Sequence, residues 1–133
     1  MKIGISATGE DLNAQVDPRF GRCQYFLIVD TETMSFESIS NESAMTSGGA
    51  GIQAAQTIAK AGVEAMVTGN MGPNAFQTLS AAGIRIFTGA TGKVSEAVEQ
   101  YKRGELQETK GASVNSHFGM GGTGRSFGRG RNL

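Results

Sequence analysis

The segment GIQAAQTIAKAGVEAMVTGNMGPNAFQTLSAAGIRIF, residues 51–87, decides the fold of this chain. Its first part places Ile52, Ala55 and Ile58 at helical spacing and ends at Gly62, a common helix terminator. An apolar strand is predicted over 64–68, a second helix begins at Pro73, and another strand is predicted over 84–87. Helices that alternate with strands in this way require parallel strands joined by right-handed crossovers.

The flanking segments extend this pattern to the order βββαβαβα. Strands are predicted over 1–7, 25–29 and 36–39, and the short connection between the second and third predicts an antiparallel hairpin. A third helix is predicted from Val94 to Gly104. The sequence therefore predicts an α/β fold of the ribonuclease H-like class. Its five-stranded mixed sheet should have the order 3-2-1-4-5, with strand 2 antiparallel and three helices.

The composition predicts one small domain followed by a tail. The 133 residues include 12 basic and 12 acidic side chains, which argues against a whole-surface nucleic-acid or membrane interaction. Residues 111–133 contain seven glycines, three arginines and no acid. Such a segment buries too little apolar area to offset its ordering entropy. We expect a domain over residues 1–107 and a flexible Gly/Arg-rich tail over 108–133.

The same totals predict a cytoplasmic location. The N-terminus does not resemble a signal peptide, and no run of residues approaches the roughly 18–20 apolar residues of a membrane span. A single cysteine excludes a disulfide within the chain and a zinc cluster built from cysteines of one chain.

The loops that follow the parallel strands should meet at one edge of the sheet. Three helix N-termini would open there, and helix N-termini favour anions because their first N–H groups are free. Glycines in SGGAG (47–51), GNMG (69–72) and GATG (89–92) would let an anion approach the backbone, with Arg19, Arg22 and Lys93 nearby. The alternative is that these are ordinary turns that need glycine for their geometry.

Motifs for catalysis are incomplete. GATGK (89–93) lacks the first glycine of a phosphate-binding loop, since position 87 is Phe. GAGIQA (49–54) does not directly follow a strand, as a dinucleotide site would require. The first strand carries no acid for a two-metal nuclease. We therefore expect a binding protein and not an enzyme.

Three side chains could be soft or metal-binding ligands. Cys23 is either a small core residue or a thiolate at the ligand edge, where Arg22 and the helix dipoles would lower its pKa. We favour the ligand-edge interpretation, with a partly exposed thiol. Met71 is either an apolar filler or a thioether ligand. His117 is either a solvent-exposed imidazole or a ligand delivered by the tail.

The segments DPRFGRCQYFLIVD (17–30), GGAGIQAAQTIAKAGVEAMVTGNMGPNAFQTLSAAGIRIF (48–87) and GKVSEAVEQYKRGEL (92–106) together resemble the dinitrogenase iron–molybdenum cofactor biosynthesis family. The resemblance covers about residues 1–106. It implies a ribonuclease H-like fold and a carrier that binds an iron–molybdenum or other Mo/Fe/Cu–sulfur cluster, or its precursor. The implied partners are cluster donor and acceptor proteins. From the sequence itself we expect no membrane partner and a monomer.

The resemblance also implies where the cluster binds. Phe20, Gly21 and Arg22 match the family's F-G-R, and residues 48–51 match its glycine loop. Many relatives carry His before F-G-R, where this chain has Arg19, and Cys23 could substitute as a metal ligand. With the loop residues above, the expected cofactor-binding set is Arg19, Phe20, Gly21, Arg22, Gly48, Gly49, Gly51, Asn70, Met71, Gly72, Thr91 and Gly92, and the expected metal ligands are Cys23 and His117.

Two other functions compete with the carrier. GRSFGRGR (124–131) resembles arginine–glycine segments that bind single-stranded nucleic acid through charge and stacking. The tail would then make the chain a nucleic-acid-binding accessory protein. An enzyme that acts on an anionic small molecule is a third possibility, although the sequence offers it no visible acid–base pair.

Overall fold

The computed structural model describes residues 1–41 and 49–110, and these form a single mixed sheet with helices on both faces. The elements follow the predicted order: β1 (Lys2–Ala7), β2 (Tyr25–Asp30), β3 (Phe36–Ser40), α1 (Ala50–Lys60), β4 (Ala65–Val67), α2 (Pro73–Ala81), β5 (Arg85–Phe87) and α3 (Val94–Lys102). None of these three helices, of which the longest has 11 residues, could span a membrane.

The sheet has the strand order β3-β2-β1-β4-β5, as predicted. β2 pairs antiparallel with β1 and β3, whereas β1, β4 and β5 run parallel to one another. The C-terminal ends of the parallel strands therefore share one edge, and the loops before α1, α2 and α3 leave from it. The α/β class, the strand order and the reversed β2 are confirmed.

The two faces of the sheet bury separate apolar clusters. Phe26, Ile28, Met66 and Ile86 face α1 and α2, where they pack with residues such as Ile58. On the other face, a second cluster joins the sheet to α3 and to the loop between β1 and β2; its fully buried members include Ile3, Ile5, Leu27, Val67, Val94 and Val98. Helices α1 and α2 therefore lie on one face of the sheet and α3 lies on the other. As a result, the N-termini of α1 and α2 lie next to each other.

Residues beyond Gln107 also contact the sheet. The Thr109 N–H donates to the Ile86 carbonyl at 2.7 Å, and Glu108 forms an antiparallel bridge with Phe87. Arg85 at the start of β5 pairs with the Glu108 carboxylate at 3.1 Å. These contacts continue past the predicted boundary at residue 107, and that boundary stays a prediction. The rest of the predicted tail, 111–133, lies outside the described residues.

Candidate functional site

A cleft of about 400 Å³ lies at the C-terminal edge of the sheet, between the loop after β1 and the first turns of α1 and α2. The loop is held in place by the Asn70 N–H, which donates to the Pro18 carbonyl at 2.8 Å. The residues that line the cleft come from the three segments 18–21, 49–52 and 70–75: Pro18, Arg19, Phe20, Gly21, Gly49, Ala50, Gly51, Ile52, Asn70, Gly72, Pro73, Asn74 and Ala75.

The helix ends at this cleft carry N–H groups that the helices do not use. In α1 the first helical hydrogen bond is donated by the Gln53 N–H to the Gly49 carbonyl. In α2 the Phe76 N–H donates to the Gly72 carbonyl, and both distances are 3.0 Å. Within the described part of the chain, neither N-cap glycine provides a side-chain cap, and neither first turn contains an acid. The backbone N–H groups left for a ligand belong to Ala50, Gly51, Ile52, Asn74 and Ala75.

The N-terminus of α3 is different because its N–H groups are already bonded. Val94 N–H donates to the Ala14 carbonyl at 2.8 Å and Ser95 N–H to the Leu12 carbonyl at 3.0 Å. The Glu96 carboxylate accepts from the Lys93 N–H at 3.0 Å, which caps the helix. The prediction that three helix N-termini open at one site is therefore wrong: two open there, and the loop after β1 closes the third.

An ion pair with a buried carboxylate orients Arg19, the cation that lines the cleft within the described part of the chain. The Asp17 side chain is only 3% exposed, whereas the Arg19 side chain is 64% exposed. Asp17 accepts from Arg19 Nε and Nη2, each at 3.2 Å, and from the Arg19 backbone N–H at 2.9 Å. These hydrogen bonds raise the pKa of Arg19, so its guanidinium keeps a full positive charge. The cleft thus contains a guanidinium of defined orientation.

Two glycines of the site are explained by close backbone approach. A Cβ at Gly21 would lie 3.1 Å from the backbone of Gly51, in the first turn of α1. A Cβ at Gly69 would lie 2.5 Å from Cα of Pro18. Both glycines therefore allow the loop to pack against the strand and helix that it covers. At Gly69 the fold requires glycine with or without a ligand, whereas a side chain at Gly21 would be tight against the first turn of α1.

Cys23 does not lie at the cleft surface. Its side chain is fully buried in the α1/α2 cluster, and its Sγ lies 3.4 Å from the Phe20 carbonyl. Burial, reinforced by the negative charge of Asp17, raises the pKa of Cys23 to about 12. The expectation of a partly exposed thiol with a lowered pKa is wrong, because the loop folds over the sulfur before entering β2. In this conformation the thiol is shielded from a ligand in the cleft.

The loop conformation depends on Asn41, which sequence reasoning missed. Its Nδ2 donates to the carbonyls of Cys23 at 2.8 Å and Gly21 at 3.1 Å, and lies 3.7 Å from Cys23 Sγ. Asn41 thereby ties the end of β3 to the loop that lines the cleft. Asp17 was also missed as a site residue. The spacing Asp17-x-Arg19 was visible in the sequence, but only the burial of the carboxylate reveals its role.

The structure brings together about half of the predicted cofactor-binding residues. Those that line the cleft are Arg19, Phe20, Gly21, Gly49, Gly51, Asn70 and Gly72. Arg22 is exposed and does not line it, and Met71 is buried in the α1/α2 cluster, which favours the filler interpretation. Thr91 and Gly92 lie at the closed α3 end, while Gly48 and His117 fall outside the described residues. The ligand roles of all these residues stay predictions.

No group of three or more His, Cys, Asp or Glu side chains able to hold a metal ion occurs within residues 1–41 and 49–110. The donors on the described residues that line the cleft are backbone N–H groups, the Arg19 guanidinium and the side-chain amides of Asn70 and Asn74. Its walls are largely apolar, with Phe20, Ile52 and Pro73 among the lining residues. This arrangement suits an anion that is held by hydrogen bonds and apolar contact.

Comparisons with known proteins show the family to which this chain is similar. The family model for the dinitrogenase iron–molybdenum cofactor matches residues 1–104. Among curated proteins no significant match was found.

Among solved structures, the apo form of the orange protein from Desulfovibrio gigas is 42% identical, with a TM-score of 0.82, and the match covers 84% of this chain and 95% of that one. A protein from Thermotoga provisionally assigned as NifB is 37% identical, with a TM-score of 0.70 and coverage of 80% and 91%. A provisionally assigned dinitrogenase from Methanocaldococcus jannaschii is 27% identical, with a TM-score of 0.63 and coverage of 84% and 96%. The chain belongs to the dinitrogenase iron–molybdenum cofactor family.

Proposed function

We propose that this chain, as a member of the family, binds an iron–molybdenum cofactor, or another Mo/Fe/Cu–sulfur cluster or its precursor. It would carry the cluster from a donor protein to an acceptor. One observation carries the proposal: the free N–H groups of two helix N-termini and the Arg19 guanidinium face the same cleft. A metal–sulfur cluster is a large anion whose sulfur atoms accept weak hydrogen bonds. It would be the cargo of this protein.

A carrier must bind its cargo firmly but also release it. Backbone N–H groups and a guanidinium hold an anion without forming a bond to the metal, so release requires no ligand exchange at the protein. The buried, protonated Cys23 thiol is consistent with this mode of binding, because only the thiolate is a strong metal ligand. The proposal therefore places no side-chain sulfur on the cluster.

We also propose that the protein is a binding protein and not an enzyme. Among residues 1–41 and 49–110, those that line the cleft include no carboxylate, imidazole or thiol that could act as an acid–base pair. We further assign the sheet to the ribonuclease H-like class and place the exchange with donor and acceptor proteins in the cytoplasm, with the chain acting as a monomer. The alternative role in nucleic-acid binding rests on residues 124–131, which lie outside the described residues.

Anaerobic titration with tetrathiomolybdate tests the proposal, because this soft sulfur-rich anion has charge-transfer absorption in the visible range. We expect saturable binding of one anion per chain, retention of molybdenum through gel filtration, and transfer of the bound molybdenum when an apo acceptor of the family's cluster is added. Unsaturable uptake, or the same uptake by the urea-unfolded chain, would contradict a folded binding site.

A further inference from the structure

The buried carboxylate of Asp17 changes the charge of the cleft. Only 3% of its side chain is exposed, and it lies against Arg19 with two side-chain contacts of 3.2 Å. Asp17 therefore cancels most of the net charge that Arg19 would bring, while the guanidinium N–H groups that Asp17 does not use can still donate. The pair provides directed hydrogen bonds but little net positive charge.

The remaining positive potential comes from the helix ends. Each helix N-terminus is equivalent to roughly half an elementary charge, so α1 and α2 together supply about one positive charge, spread over several N–H groups. No acidic residue lines the cleft within the described part of the chain, and the raised pKa of Cys23 keeps the nearby thiol neutral. The cleft is thus weakly and diffusely positive.

A cleft of this kind distinguishes between classes of anion. Compact oxyanions such as phosphate and molybdate hold water tightly, and their transfer to a largely apolar site requires a strong local charge in return. A large sulfur-rich anion has a lower charge density and loses less on dehydration. It also gains contact with apolar walls, which here include Pro18, Phe20, Ala50, Ile52, Pro73 and Ala75.

We propose that Asp17 is a specificity-determining residue: it orients the Arg19 guanidinium and offsets its charge, so that the cleft prefers large sulfur-rich anions to phosphate or molybdate. This inference rests on the proposed function, because it concerns the same cleft. Asp17 itself touches Arg19 and does not line the cleft, so it acts through the guanidinium.

Asp17→Asn separates the charge of the side chain from its shape. The Asn Oδ1 can still accept the Arg19 backbone N–H, the 2.9 Å contact that shapes the turn. Its amide nitrogen would replace Oδ2 and oppose Arg19 Nη2, donor to donor, so the guanidinium would keep only its Nε contact to Oδ1 and its charge would be uncompensated. A matched control is Asp11→Asn, which changes the net charge equally at an exposed Asx turn, where Oδ1 accepts from Asn13 N–H at 2.9 Å.

The experiment compares the affinities of the full chain for tetrathiomolybdate and for molybdate. Asp17→Asn should raise the affinity for molybdate more than the affinity for tetrathiomolybdate, so that the ratio of the two falls about tenfold, or roughly 1.4 kcal/mol of discrimination. Asp11→Asn should leave the ratio unchanged. An unchanged ratio in Asp17→Asn, or an equal fall in both variants, would overturn the assignment.

A second variant and a second measurement keep the inference testable if Asp17→Asn does not fold. Arg19→Lys leaves Asp17 in place but replaces the bidentate fork with a single ammonium contact, so the ratio should fall in the same direction by a smaller amount. An unchanged ratio in Arg19→Lys would count against the assignment. By NMR, the Arg19 Nε–H signal should be protected from exchange in the wild-type protein; rapid exchange there would overturn the claim that Asp17 orients it.

The outcomes also separate this inference from the proposed function. Binding of tetrathiomolybdate with no preference over molybdate would overturn the inference and leave the carrier proposal standing. Failure of the wild-type protein to bind either anion would overturn both.

Discussion

Two kinds of helix N-terminus occur at the same edge of this sheet. At α1 and α2 the first-turn N–H groups face a cleft, the N-cap is glycine, and no acid lies in the first turn. At α3 the corresponding groups of Val94 and Ser95 donate to loop carbonyls, and Glu96 caps the helix. The same backbone chemistry therefore gives a candidate anion site in one case and a structural junction in the other.

A helix N-terminus becomes a site only when the fold leaves its N–H groups without acceptors. The loop after β1 has two roles here. Its residues 12–14 satisfy the N–H groups of α3, while residues 18–21 form a wall of the cleft and leave those of α1 and α2 available. The position of one loop thus separates the two kinds of helix end.

The largest expected effect comes from copying the α3 cap onto α1. Ile52 occupies the third position of α1, as Glu96 does in α3, and its side chain is 38% exposed. Ile52→Glu would place a carboxylate at the open helix end and repel an anion about 5 Å away by roughly 3 kcal/mol at an effective dielectric constant near 20. Titration should show about a 100-fold loss of tetrathiomolybdate affinity.

The control for this change is Gln56→Glu. Gln56 is exposed on the same helix but does not line the cleft. It adds the same charge one turn further along α1, where screening by solvent weakens the repulsion. Equal losses in the two variants would indicate a nonspecific effect of net charge and would remove α1 from the site.

The next effect concerns the thiol behind the cleft. The folded pKa of Cys23, about 12, lies above the ordinary value of 9.0, so the thiol's contribution to stability is fully present below pH 9 and lost as the pH rises toward 12. Between pH 8 and pH 10 the free energy of unfolding should fall by about 1.4 kcal/mol from this group. Denaturant titrations at both pH values measure the change, and Cys23→Ala should remove it.

A thiol reagent gives an independent test of the same point. The native protein should react slowly with it and the unfolded chain at once, since buried thiols are inert. Rapid reaction of the native protein would show that the loop opens readily and would support the interpretation of Cys23 as a thiol at the ligand edge. The raised pKa of Tyr101 begins to add its own loss of stability near pH 10, but Cys23→Ala keeps this residue, so the difference between the two proteins belongs to Cys23.

The smallest effect is expected at the closed helix end. Glu96→Ala removes the carboxylate that accepts the Lys93 N–H and should cost about 1 kcal/mol, a few degrees in Tm. Anion affinity should not change, because Val94 and Ser95 keep their loop carbonyls. Glu99→Ala, which loses only a 4.0 Å surface pair with Lys102, should cost less than Glu96→Ala. A gain of anion binding in Glu96→Ala would contradict the difference between the open N-termini of α1 and α2 and the closed N-terminus of α3.

Much of the fold could be predicted from the sequence because it follows local rules. Helical spacing after Gly51, strand patterns of four to seven residues and glycine stops determine the element order, and the handedness of crossovers then limits the topology. That the loops of residues 18–21, 49–52 and 70–75 converge follows from parallel strands sharing an edge. These are properties of neighbours along the chain and of the sheet as a whole.

The rest of the site could not be predicted because it depends on how the loop between β1 and β2 folds. The carbonyls of Leu12 and Ala14 that satisfy α3 have no side-chain signature, since every residue has a carbonyl. The burial of Cys23 follows from its contacts with Asn41, 18 residues away. The closed end of α3 could have been predicted from Glu96, because an acid at the third position of a helix indicates a capped N-terminus.

The most direct test of the account is to observe the backbone N–H groups of all three helix ends during ligand binding. Tetrathiomolybdate is diamagnetic, so ¹H–¹⁵N spectra of the assigned protein can be followed through a titration. The account predicts the largest shifts at Ala50, Gly51, Ile52, Asn74 and Ala75, with Val94 and Ser95 unmoved. Saturable binding that leaves the α1 and α2 amides unchanged, or that shifts those of α3 instead, would contradict it.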